Sequence, residues 1–121
     1  MSDQVFYLAL GTSLFAYFLF VCIYWYVKKF PPTEIGPYGY KTPRSMKNIA
    51  NWNYANALSN KLMYWLANGL IVIILITLLG FRHQITNKIY SIIFGSLIFL
   101  QVALMIGITE YKLKQFEKRQ S

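Results

Sequence analysis

Few side chains in this sequence could do acid–base or metal chemistry, and they are scattered along the chain. It has one histidine, His83, one cysteine, Cys22, and four acidic residues: Asp3, Glu34, Glu110 and Glu117. No pair among them has the spacing of a metal site or of a general acid–base pair. No Gly-rich loop followed by Lys and Ser or Thr is present. The sequence therefore predicts no catalytic residue, no metal site and no bound cofactor.

Polar side chains are concentrated in one interval, residues 35–57, which reads IGPYGYKTPRSMKNIANWNYANA. This interval combines three cations, Lys41, Arg44 and Lys47, with a high density of asparagine. Such cations contact lipid phosphates at a membrane surface, and Trp52 fits an anchor at the interface. Two interpretations stay open here: a proline turn that leads into a surface helix, or a dedicated site.

The composition around this interval is that of a membrane protein. Hydrophobic residues make up 56% and charged residues 13%, whereas soluble domains average about 45–50% and about 25%. Uncharged runs at residues 5–27, 62–81 and 89–109 are long enough to cross a hydrocarbon core of about 30 Å. The sequence predicts a single-domain, all-α membrane protein with three transmembrane helices.

A further helix is predicted between the first two spans. Residues 45–60 contain no Gly or Pro, and we expect them to form an amphipathic helix at the interface. Thr42, which precedes Pro43, is the candidate N-cap, with Ser45 as the alternative.

Several polar side chains fall within or beside the apolar runs. If the interfacial helix continues into the second span, one face carries a polar line into the bilayer, formed by Asn53, Asn60, Tyr64 and Asn68. Gln101, in the third run, also needs an internal partner. We expect residues 110–121 to form a helical tail that leaves the membrane and frays into water.

The basic residues predict an orientation. The formal net charge is +8, and ten of the twelve Lys and Arg residues lie in the first connection or the tail. This charge flanks apolar runs, so it indicates contact with anionic lipid head groups rather than nucleic-acid binding. The positive-inside rule places the polar interval and the C-terminus in the cytoplasm and the N-terminus outside, in what we expect to be a bacterial inner membrane.

The polar interval resembles a family signature. The segment GYKTPRSMKN at residues 39–48, followed by Trp52 and by Ala55-Asn56, is similar to the motif of the SdpI family of small bacterial membrane proteins. That motif reads G-[YF]-R-T-P-R-S-x-K-N, then W, then A-N before a transmembrane helix, and Lys41 stands where Arg is usual. The resemblance implies a binding site made of the motif's residues: Gly39, Tyr40, Lys41, Thr42, Pro43, Arg44, Ser45, Lys47, Asn48, Trp52 and Asn56.

The resemblance implies a role rather than a reaction. Its best-known members give immunity to a secreted toxic peptide and hold a cytoplasmic transcriptional repressor at the membrane when toxin is present. Two other functions stay open. Small residues four apart, as at Ser91 and Gly95, favour helix–helix contact in a homo-oligomer or a larger membrane assembly. The polar line would also suit a component that binds or transports a lipid or small molecule.

Overall fold

The structure, a computed structural model, describes residues 1–36 and 38–120. Helix α1 spans Asp3–Lys29, α2 spans Ile49–Phe81, and α3 spans Asn87–Gln120. All three helices are long and apolar enough to cross a membrane, which confirms the predicted all-α, three-helix architecture.

The sequence of α1 explains where the helix begins and where it ends. Ser2 is its N-cap, and the Ser2 hydroxyl accepts a hydrogen bond from the Val5 N–H at 3.2 Å. Lys28 and Lys29 occupy the last turn, where cations complement the helix dipole. Phe30 then precedes two prolines, which cannot continue a helix.

The predicted interfacial helix is not a separate element. Residues 49–60 form the first turns of α2, which runs without interruption into the second span. No Gly or Pro occurs in its first half to break the backbone hydrogen bonds. The start is also later than predicted, because Asn48 is the N-cap and its Oδ1 accepts from the Asn51 N–H at 2.8 Å. Thr42 and Ser45, the predicted caps, lie ahead of α2 in the segment that joins α1 to α2, residues 30–48, which we call the linker.

Helices α2 and α3 have 33 and 34 residues, so each is about 50 Å long and exceeds a hydrocarbon core of about 30 Å. Successive helices are antiparallel: the Met1 amino group, at the start of α1, donates to the Ile85 carbonyl just beyond α2, and Tyr54 near the start of α2 stacks on Phe116 near the end of α3. The extra turns at the N-terminus of α2 and at the C-terminus of α3 therefore lie at the same end of the bundle as Lys29.

Helix α2 is the central element and packs against both α1 and α3. Near the opposite end of the bundle, Phe6 and Ala9 of α1 and Ile74 and Leu78 of α2 form a buried core. Nearly all other apolar side chains of the three helices are exposed or half-buried, as expected for surfaces that face lipid.

The C-terminal part of α3 is helical as predicted, but it does not fray. Leu113 is fully buried, and the Phe116 ring stacks on Tyr54 of α2 with centroids 4.4 Å apart. The predicted tail also included Ser121, which lies outside the described residues. The tail of α3 and the first turns of α2 thus extend the bundle beyond the apolar spans and hold the linker between them.

Candidate functional site

The linker contacts α2 most closely at Gly39. The N–H of the next residue, Tyr40, donates to Asn56 Oδ1 at 2.7 Å. Gly39 has a φ of +111°, and an added Cβ would clash with that same Asn56 oxygen and lie 3.3 Å from the Trp52 ring. Both the left-handed backbone and the close approach require glycine here.

Trp52 and Asn56 hold the start and the middle of the linker against one stretch of α2. The Asn56 amide donates to the Trp52 carbonyl at 2.9 Å, and the Trp52 indole N–H donates to the Pro32 carbonyl at 3.2 Å. Trp52 is fully buried, so the prediction that it anchors the chain at the lipid interface is wrong. Its hydrogen bond to Pro32 holds the start of the linker, while Asn56 holds its middle.

Thr42 and Ser45 form a reciprocal turn inside the linker. The Thr42 N–H donates to Ser45 Oγ at 2.8 Å, and the Ser45 N–H donates to Thr42 Oγ1 at 3.2 Å. Ser45 is fully buried, and its hydroxyl lies 3.1 Å from the Tyr40 carbonyl, to which it donates. This is the bonding pattern of a capping box applied to a single turn, and it directs the Arg44 side chain toward α3.

Arg44 lies between two carboxylates of α3. Its guanidinium nitrogens are 3.9 Å from Glu110 and 3.8 Å from Glu117. The Asn51 side-chain amide donates to the Arg44 carbonyl at 3.0 Å and to Glu117 at 2.5 Å. The Tyr40 hydroxyl donates to Glu110 at 2.7 Å. We call these residues the polar cluster: Tyr40, Arg44, Asn51, Glu110 and Glu117.

The polar cluster keeps the Tyr40 phenol protonated. Burial of the phenol, followed by its hydrogen bond to Glu110 and the negative charge of that carboxylate, raises the pKa of Tyr40 well above its ordinary value. A neutral phenol is a hydrogen-bond donor over the whole physiological range. Tyr40 therefore acts as a fixed donor to Glu110 rather than as an acid or base.

The remaining motif residues lie at the rim of this arrangement. Lys41 is exposed. Pro43 and Lys47 line an open cavity of about 370 Å³ together with Arg44, Glu110 and Glu117. Asn48 serves as the α2 N-cap. The structure thus brings most of the motif together around Tyr40 and Arg44. The Lys41 and Lys47 side chains are exposed to solvent.

Most of the predicted polar line faces α1. The Asn60 amide donates to the Tyr24 carbonyl at 3.2 Å, the Tyr64 ring stacks on Tyr24 at 4.1 Å, and Asn68 accepts from the Tyr17 hydroxyl. Asn53 is exposed and forms no hydrogen bond through its side chain within the described ranges. The seam between α1 and α2 is therefore polar over several turns.

Gln101 does not join this line. Its side chain is 4% exposed, and its Nε2 has no hydrogen-bond partner among residues 1–36 and 38–120. Its predicted internal partner is therefore not found in this part of the chain.

Sequence reasoning missed Asn51, Glu110 and Glu117 as members of the site. The two glutamates lie outside the apolar runs, so the sequence predicts them in a solvated tail. Glu110, Leu113 and Glu117 follow each other at spacings of three and four, which places them on one face of a helix. That periodicity was the available signal that the tail packs against a partner.

At the opposite end of the bundle, Arg82 pairs with Asp3 and lies 4.2 Å from the centroid of the Phe6 ring. His83, beside it, is exposed. Across the described ranges, no three His, Cys, Asp or Glu side chains come close enough together to hold a metal ion.

Comparison with known proteins identifies a family for the sequence. Neither the curated proteins nor the solved structures contain a match to the chain. A sequence model of the SdpI/YfhL protein family matches residues 36–112. The match covers the motif of the linker, all of α2 and α3 as far as the turn that holds Glu110, and it leaves out α1 and Glu117. With three helices able to cross a membrane, the chain is a multi-pass membrane protein that belongs to the SdpI/YfhL family.

Proposed function

We propose that this chain is a non-enzymatic immunity protein that protects a bacterium from a secreted toxic peptide. Family membership supports this role. The observation that carries the proposal is the position of Arg44 between Glu110 and Glu117, because it couples the motif-bearing linker to the far end of α3.

In the proposed mechanism, toxin contact with the helices changes the position of the linker. Toxin meets the helices in the bilayer or at their outer face and shifts α1 relative to α2. The Asn60–Tyr24 hydrogen bond and the Tyr64–Tyr24 stacking carry that shift along the α1–α2 seam. The linker joins α1 to α2 and is held by the polar cluster, so its position depends on the same seam.

The proposed orientation places the linker and the C-terminus in the cytoplasm and the N-terminus outside, because most Lys and Arg residues lie at the linker end. A cytoplasmic repressor would then reach the exposed Lys47 side chain at the rim of the polar cluster.

The proposal is tested by expressing the chain in a toxin-sensitive bacterium and measuring survival. The wild-type chain should raise survival at confirmed membrane levels. Arg44→Ala should lower that protection, whereas Lys41→Ala removes a cation of the same motif without touching a carboxylate and should retain it. Unchanged killing with the wild-type chain would contradict the proposed function.

A structural role in a larger assembly is the second candidate. Gly95 and Gly107 lie on α3 with open space where a Cβ would be, and both are exposed. Small residues four positions before each of them, Ser91 and Ala103, complete two pairs that let another helix approach closely. The mass of the purified protein in mild detergent tests this candidate, since a mass of one chain plus lipid would contradict a homo-oligomer.

A further inference from the structure

A cavity opens laterally where the end of α1 and the start of the linker face the first turns of α2. Its volume is about 690 Å³, within the range of about 300–1,000 Å³ that is usual for ligand sites. Its wall includes Tyr24 and Lys28 of α1, Pro32 of the linker, and Asn53, Asn60 and Lys61 of α2. We call it the lateral cavity.

The lateral cavity is cationic. Lys28 and Lys61 approach it from two different helices, and none of the described residues in its wall is acidic. The Lys28 ammonium lies 5.8 Å from the centroid of the Tyr24 ring, a cation–π distance to another residue of the cavity wall. Glu34 lines the neighbouring cavity on the linker side, so an anion is favoured on the lysine side.

The polar lining also has free hydrogen-bonding capacity. Asn53 is exposed and its side-chain amide has no hydrogen-bond partner within residues 1–36 and 38–120. Its two N–H groups are available to phosphate or ester oxygens. The lateral cavity thus offers two charges and an amide donor to one ligand.

A second cavity, mostly apolar, adjoins the lateral cavity on the side toward the middle of α1, and we call it the chamber. It has a volume of about 310 Å³ and shares Tyr24, Val27, Asn56 and Asn60 with the lateral cavity. Its deeper wall includes Phe20 and Met63, and Phe20 lies one helical turn before Tyr24. A ligand that fills both spaces is anionic at the interface and apolar toward the membrane interior.

We propose that the lateral cavity binds one anionic phospholipid. Its phosphate lies between Lys28 and Lys61, Asn53 donates to the head group, and an acyl chain enters the chamber beside Phe20 and Met63. The chamber borders Tyr40 of the polar cluster, whereas neither space is lined by Arg44, Glu110 or Glu117. Occupancy of this site does not depend on the proposed immunity function.

The test uses the full-length purified protein and counts bound lipid by native mass spectrometry after titration with phosphatidylglycerol or phosphatidylcholine. One phosphatidylglycerol should remain bound at detergent concentrations that strip phosphatidylcholine. Each basic residue near an anionic lipid contributes about fivefold to binding, so the double variant Lys28→Gln/Lys61→Gln should weaken phosphatidylglycerol binding about 25-fold. The control Lys112→Gln/Lys114→Gln removes the same charge outside the cavity and should bind as the wild type does.

A second pair of variants tests the shape of the site without changing charge. Ala57 lines the lateral cavity, so Ala57→Trp should fill it and abolish retention of the lipid. Ala50 is exposed on the same helix and is not part of the wall, so Ala50→Trp should leave binding intact. Both should retain the helical circular dichroism of the wild type.

Three results would overturn the proposal: equal retention of the two lipids, an equal loss in the Lys112→Gln/Lys114→Gln control, or displacement of the lipid by millimolar inorganic phosphate. The last result would show a simple anion site with no acyl-chain contribution. Because the assay contains no toxin, failure here leaves the survival assay unaffected, and failure of the survival assay leaves this site unaffected.

Discussion

The Arg44 guanidinium lies 3.8 Å from a carboxylate oxygen of Glu117, although the whole of α2 separates the two residues in sequence. This ion pair joins the linker to the last turns of α3. The two side chains are 35% and 23% exposed, so the pair is partly shielded from water and its attraction is stronger than that of a fully exposed pair.

Gly39→Ala should destabilise the protein more than Gly36→Ala does. Both glycines have positive φ, of +111° and +136°, but an added Cβ meets Asn56 and Trp52 only at Gly39 and meets nothing at Gly36. The backbone strain is therefore similar, and the difference reports the close approach to Asn56. We expect Gly39→Ala to cost about 2 kcal/mol more, the cost of a lost buried hydrogen bond with local repacking, measured by unfolding in mixed micelles. Equal losses would show that Gly39 is needed only for its backbone conformation.

Asn56→Ala should lower the free energy of unfolding by about 2–3 kcal/mol, because it leaves the Tyr40 N–H without its acceptor inside the structure. Asn53→Ala, on an exposed position of the same helix, should change it by less than about 0.5 kcal/mol. Comparable effects of the two substitutions would contradict the anchoring role of Asn56.

Tyr40→Phe should change the response of the protein to alkaline pH. The pKa of Tyr40 is raised in the folded state, so above the ordinary tyrosine pKa of about 10 the unfolded chain releases a proton that the folded chain keeps. Stability from this group is therefore complete below about pH 10 and is lost as pH rises above it. Between pH 8 and pH 11, the wild type should lose more unfolding free energy than Tyr40→Phe does. The same loss of unfolding free energy in both proteins would show that these contacts do not raise the pKa of Tyr40.

Cysteine labelling from outside intact cells should distinguish the two ends of the bundle. Lys47 and His83 are both exposed, one in the linker and the other beyond α2. In a chain carrying Cys22→Ala, an impermeant thiol reagent should label a cysteine replacing His83 and should not label one replacing Lys47. The reverse pattern would overturn the proposed orientation. Ser45 is unsuitable as a labelling position because it is fully buried.

The sequence predicted the elements better than the contacts between them. Long uncharged runs identify the three spans, because charged side chains are costly in hydrocarbon. The start of α2 was misplaced because Thr42, Ser45 and Asn48 are all good capping residues. Local preference does not show that Thr42 and Ser45 bond to each other and leave the cap to Asn48.

The sequence predicted the linker residues of the site but not their partners on α3. The motif pointed to Tyr40 and Arg44, but their partners Glu110 and Glu117 belong to a helix whose register against α2 depends on the whole bundle. The same is true of Trp52, whose burial depends on the path of the linker from Pro32. Such contacts follow from tertiary packing and leave only a weak periodic signal in the sequence.

The most direct test of the linker–α3 connection is a double-mutant cycle between Arg44→Met and Glu117→Gln, read as unfolding free energy in mixed micelles. The cycle isolates the interaction of the two side chains from their separate effects. We expect a coupling energy of about 1 kcal/mol, and a value near zero for the control cycle between Lys41→Met and Glu117→Gln. Additive effects in the Arg44 cycle would contradict the claim that the motif couples the linker to α3.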